Sequence, residues 1–148
     1  MADKKDTKKE KVIEMQAEEA LIEEFNPDHI VIGGKGYDIY IGFDFVRELD
    51  SRYSSDVGRV KYGQGLLSLI LQLNQGNPLG ILNFIQAGTI TEKQKPAVKD
   101  IEAKFSEWYD SGQLKAVYQS FFEKLEKSPI TSTTVEAVIA ADRKSTRL

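Results

Sequence analysis

Apolar positions along the chain change their spacing from one stretch to the next, and each spacing predicts an element. Over residues 12–25, Ile13, Ala17, Ala20, Leu21 and Phe25 recur at three- and four-residue steps among Glu14, Glu18, Glu19, Glu23 and Glu24. That period predicts an acidic amphipathic helix, ended by Asn26-Pro27. The next stretch is β-branched and aromatic: His29-Ile30-Val31-Ile32, a glycine-rich Gly33-Gly34-Lys35-Gly36, then Tyr37-Asp38-Ile39-Tyr40-Ile41. Strand, tight turn and strand follow from the residue types, since glycine takes up the positive φ that such a turn needs. A lone hairpin is marginal in water, so its apolar face is expected to pack on helices.

Beyond Gly42 the period is helical. Residues 43–53 carry Phe45, Val46, Leu49 and Tyr53, with Asp44 placed to charge the first turn, and residues 54–62 read as a loop. Residues 65–73 form a short, strongly apolar helix stopped by Gly76. Asn77-Pro78 is a start signal, asparagine capping and proline in the first turn, for a helix with Leu79, Ile81, Leu82, Phe84 and Ile85 that stops near Gly88. After a polar loop over residues 89–95, Pro96 opens a helix with Ile101, Phe105, Trp108 and Tyr109, closed by Ser111-Gly112. Leu114, Val117, Tyr118, Phe121, Phe122 and Leu125 make the clearest amphipathic stripe in the chain, ended by Ser128-Pro129. Thr133 with Glu136 reads as a capping box before Val135, Val138 and Ile139. The predicted fold class is α+β, mostly α: an N-terminal β-hairpin packed on about five or six short helices. Residues 1–28 read as a charged arm with the acidic helix, 29–140 as one globular domain with its hairpin at 29–41, and 141–148 as a polar, basic tail.

Composition narrows the function classes. At 148 residues the chain can bury a core without covalent staples, and with no cysteine it has neither disulfides nor thiolate metal ligands. A net charge of −3, with lysines interleaved among acids, disfavours a general nucleic-acid binder, which gains affinity from clustered basic residues. The early lysines lead into glutamates rather than an apolar core, so no secretory signal is expected. The most apolar run, residues 66–73, is far short of the ~20 residues a bilayer span needs. An intracellular soluble protein with neither a nucleic-acid nor a membrane partner is expected.

Candidate chemistry is thin. Gly33-Gly34-Lys35-Gly36 is followed by a strand, not by Ser or Thr and a helix, so a hairpin turn is the better reading than a phosphate loop. Gly63-Gln64-Gly65 follows no strand pattern and reads as an entry loop. His29, the only histidine, cannot build a metal site alone and reads as a strand-boundary residue. Asp44, Glu48 and Asp50 could be imagined as an acid–base set, yet the pattern puts them on a solvated helix face. Trp108 and Tyr109 share spacing with core positions. A non-enzymatic protein without cofactor or metal is therefore expected. What does stand out is apolar load. The helix over residues 65–73 has almost no polar face, which marks either a central core helix or one with a face against a partner. Leu66, Leu69, Ile70 and Leu73, with Leu82, Phe84 and Ile85 on the next helix, are the candidate partner-binding residues. Core alone, or core plus an oligomer or ligand groove, are both open at this point.

The order of these motifs adds a resemblance. Phe43, Phe45, Arg47, Glu48 and Leu49 after the hairpin, then Gly65, the Gln75-Gly76-Asn77-Pro78 turn and the helix end from Glu123 to Ser128, resemble the tail assembly chaperones of long-tailed, siphovirus-type phages and prophages of Gram-positive bacteria. The likeness runs from about His29 to Ile139. It implies a non-enzymatic assembly factor in the cytoplasm of the bacterial host, absent from the mature virion. Such a chaperone binds the tape measure protein and helps recruit major tail (tube) protein subunits. Self-association, and a longer frameshifted form sharing the N-terminal part, are implied in the same way. The alternative is a structural tail or connector subunit retained in the virion.

Overall fold

The hairpin is the element its residues specify most tightly. In the computed structural model, which describes residues 25–52, 54–57 and 60–146, strands β1 (His29–Ile32) and β2 (Lys35–Asp38) pair antiparallel, with Ile32 opposite Lys35. Only Gly33 and Gly34 lie between them, at φ of 59° and 77°, the sign that both central positions of a type I′ hairpin turn require. The turn is thus two residues rather than the four of the glycine-rich run, and β2 starts at Lys35 and ends at Asp38 instead of reaching Ile41. Ile30, Ile32, Tyr37 and Ile39 enter the core while Val31 stays exposed. Past β2 the chain is stitched down by the Ile39 amide donating to the Asp28 carbonyl (2.8 Å) and the Tyr40 amide donating to the Gly88 carbonyl (2.9 Å).

Six helices follow among the described residues: α1 (Phe43–Arg52), α2 (Gly65–Gln75), α3 (Pro78–Gly88), α4 (Val98–Asp110), α5 (Leu114–Lys127) and α6 (Ser132–Thr146). The architecture is α+β and mostly α, as the pattern predicts. Helix α2 is its centre and packs on α1, α3, α5 and α6, which is why its sequence is apolar nearly all round. Its first residue must be glycine: a Cβ on Gly65 would stand 1.9 Å from the Leu49 carbonyl oxygen of α1. Where α2 ends, the Asn77 amide reaches the Gln72 carbonyl (2.9 Å) and Gly76 adopts the left-handed conformation, a Schellman stop. Asn77 then turns its side chain onto the Leu79 amide (3.0 Å), capping α3 as its position before Pro78 predicts.

Aromatic rings tie the layers together. Phe45 of α1 meets Phe84 of α3 edge-on (5.8 Å), Phe84 stacks on Phe121 of α5 (3.9 Å), and Phe121 meets Trp108 of α4 (6.4 Å). Stacked and edge-on ring contacts of this kind add to the burial of the rings themselves.

Several expectations need correction. The loop over residues 54–62 contains a second antiparallel hairpin, β3 (Ser54–Val57) with β4 (Val60–Gly63), Val57 opposite Val60. Its strands lack apolar alternation, so period-2 reading passes over them. Helix α4 starts at Val98, not Pro96, because Ala97 is extended (ψ 145°) and serves as the N-cap. Helix α6 starts at Ser132: Thr131, whose hydroxyl donates to the Leu125 carbonyl, precedes it, and Thr133 lies inside the first turn, so no capping box opens there. The segment from Ala141, read as a tail, is helical through Thr146. The acidic helix over residues 12–25 lies, except for Phe25, outside the described residues.

Candidate partner-binding surface

The polar candidates resolve into structural roles. His29 sits opposite Asp38 across the hairpin and pairs with it (Nδ1–Oδ1 2.8 Å), both exposed. Glu48 ties Arg52 one turn on (2.8 Å), and Arg52 reaches Gln86 of α3 (2.5 Å). Asp50 is not on a purely solvated face: its Oδ1 accepts from the Gly65 amide at 3.1 Å and the Leu66 amide at 3.4 Å. It therefore caps α2 from α1, a tertiary cap placing a carboxylate at a helix N-terminus. Trp108 is core, whereas its neighbour Tyr109 is 70% exposed. Among the described residues there is no cluster of three or more His, Asp or Glu placed to hold a metal, and no helix long and apolar enough to cross a membrane.

Six of the seven apolar candidates, Leu66, Leu69, Ile70, Leu73, Phe84 and Ile85, lie in the core of the folded chain. Leu82 is half-buried and packs against that core from its edge. The apolar residues that reach the surface come instead from helix ends and flanks. Leu79 and Val98 are each half exposed. With half-buried Leu82 and Phe105 over a floor of Ile81 and Ile101, they line a groove of ≈ 340 Å³ between α3 and α4. A wider groove of ≈ 900 Å³ runs from the C-terminal end of α2 across α5, with Leu73, Leu114, Tyr118, Phe122 and, from α4, Tyr109 in its lining. The Tyr118 hydroxyl is shut off from solvent with no hydrogen-bond partner among the described residues, and that desolvation pushes its pKa up from 10.0.

In the sequence, Leu79, Tyr118 and Phe122 are apolar positions at helical spacing that nothing separates from core positions. The signal for Leu79 and Val98 is their place in a first turn. Helical side chains lean toward the N-terminus over the preceding turn, and at a first turn there is none to cover.

Apolar grooves between short helices are the form in which helical domains take up another protein's helix, and the class the fold defines is a small, mostly helical α+β domain with two such grooves. The family model described as "Phage tail assembly chaperone protein, TAC" matches residues 29–139, from the first residue of β1 into α6, and the chain belongs to this family. Neither a curated protein nor a solved structure matches it.

Proposed function

We propose that this chain binds the tape measure protein and helps bring tail tube subunits to it during tail assembly, without catalysis, in the host cytoplasm and outside the finished virion. Membership of the tail assembly chaperone family supports the setting. The observation that carries the contact is the α3–α4 groove, with Leu79 and Val98 half exposed at its rim. An amphipathic helix laid there would bury its own anchors at three- and four-residue spacing against Leu79, Leu82, Val98 and Phe105. Leu82 is then the direct contact among the candidate residues, while Leu66, Leu69, Ile70, Leu73, Phe84 and Ile85 hold the groove wall from behind. Weak, reversible holding of one helix in this groove would suit a factor that the growing tube displaces. Self-association, or a longer form sharing these residues, would set many such grooves along one tape measure and raise avidity.

The test is co-purification with fragments of the tape measure protein. Wild-type chain should retain them, and Leu79→Asp with Val98→Asp should lose them while keeping the helical circular dichroism spectrum. Stoichiometric chain in purified virions would instead support the retained structural subunit.

A further inference from the structure

Helix α5 carries on its outer side a charge pattern that is its own complement. Lys115, Gln119, Glu123 and Glu126 are exposed there, with half-buried Tyr118 and Phe122 beside them, and each lines the ≈ 900 Å³ groove between α5 and the end of α2. Lys115 and Glu126 are eleven residues apart, about three turns plus 20° at ~3.6 residues per turn, so they stand on one line of the helix. Gln119 and Phe122 lie between them, close to the same line. The base is thus at the N-terminal end of this face, and the acids Glu123 and Glu126 are at the other. Both signs run against the helix dipole, which favours acids at the start and bases at the end. The lysines that suit the dipole, Lys124 and Lys127, line a different groove, beside Phe25. Lys115, Glu123 and Glu126 make no ion pair among the described residues. Tyr109, 70% exposed, extends the apolar lining at the α4–α5 turn, the Lys115 end.

We propose that this face is a contact between two copies of the chain, α5 against α5, antiparallel about a two-fold axis. Turned through that axis, Lys115 of each copy meets Glu126 of the other, while Gln119 and Phe122 cross at the centre. Each start of α5 then lies beside the other copy's end, so the charges that oppose their own helix dipole suit that of the second helix. A parallel pairing would set like charges together. A two-fold contact closes at two copies. One helix face offers at most the ~800 Å² per partner of a specific interface, so the pair forms as concentration rises. This is a surface for the self-association that the proposed function invokes. It shares no lining residue with the α3–α4 groove, so its failure would leave the tape measure contact untouched.

Sedimentation velocity of the full chain from micromolar to millimolar concentration tests it. Wild-type chain should pass from monomer to dimer and no further. Lys115→Glu and Glu126→Lys should each weaken the dimer ~10-fold or more, since each sets two like-charge pairs across the axis. The double variant should recover most of that loss. An equimolar mixture of the two single variants should dimerise better than either alone, and every variant should keep the wild-type circular dichroism spectrum. A chain still monomeric at millimolar concentration would overturn the proposal. So would a dimer indifferent to both substitutions, or one that Lys115→Glu weakens and Glu126→Lys strengthens, which is the response to net charge.

Discussion

Helices α2 and α4 invert the relation between composition and accessibility. Most of α2 is leucine and isoleucine, yet Leu66, Leu69, Ile70 and Leu73 vanish into the core, because four other helices surround it. Helix α4 is mostly polar, but Val98 at its start and Tyr109 near its end stand open, with half-buried Phe105 between them. Apolar density in a sequence reports depth. The apolar surface that a partner can touch comes from helix ends and flanks of amphipathic helices, where fewer neighbours are available to cover it. Leu67 and Leu71, spaced one turn apart on α2 and 42% and 39% exposed, show that even the central helix keeps one such flank.

If depth governs stability and edges govern binding, the largest stability effect should come from the ring that joins the layers. Phe121 stacks on Phe84 and touches both Trp108 and Phe25. Phe121→Ala should cost about 3–5 kcal/mol, the range for deleting a buried phenylalanine, and in a domain of ordinary stability that approaches global unfolding. Urea denaturation reads it directly; a loss under ~1.5 kcal/mol would mean the rings are not a shared core. Leu79→Asp with Val98→Asp should do the reverse, leaving stability within about 0.5 kcal/mol and lowering affinity for a tape measure fragment ~10- to 100-fold. Equal loss of stability and binding would erase the distinction between the two helices.

A smaller effect tests the join between α1 and α2. Asp50→Ala removes the cap on the Gly65 and Leu66 amides and should cost about 1 kcal/mol, whereas Asp50→Asn, which keeps an acceptor, should cost much less. A solvated-face residue would change stability by no more than a few tenths in either form. Thermal melts of the two variants side by side decide it.

Much of this fold was legible because local signals were unambiguous. Gly33-Gly34 between β-branched runs gave the hairpin, and Asn77-Pro78 after Gly76 gave both a stop and a start. The 3.6-residue period placed the remaining helices. The β3–β4 hairpin was not legible, since Ser54-Ser55-Asp56-Val57 has neither alternation nor strong β propensity. Asp50 was missed for a different reason: its role depends on α2 approaching α1 across Gly65, a tertiary fact that no periodicity encodes. The same holds for the surface. Leu73 and Leu79 look alike in sequence, and only the packing around α2 buries one and leaves the other half exposed.

Tyr118 offers the finest test, because it stands on the border between depth and edge. Its ring lines the groove across α5 while its hydroxyl is shut away without a partner among the described residues. A buried hydroxyl that has given up water and gained nothing is a standing cost, so Tyr118→Phe should be neutral or stabilising by up to about 1 kcal/mol at neutral pH. The sign at high pH follows from the raised pKa. Burial disfavours the phenolate, so the folded chain holds the proton more tightly than the unfolded chain, whose tyrosine titrates near 10.0. Stability tied to the neutral phenol is complete below that value and is lost as pH climbs toward the higher folded pKa. The advantage of Tyr118→Phe should therefore widen above pH ~10 and stay flat below it. A variant that loses stability at neutral pH would mean that the hydroxyl is bonded, by ordered water or by residues beyond those described, and that the groove wall is polar at its base.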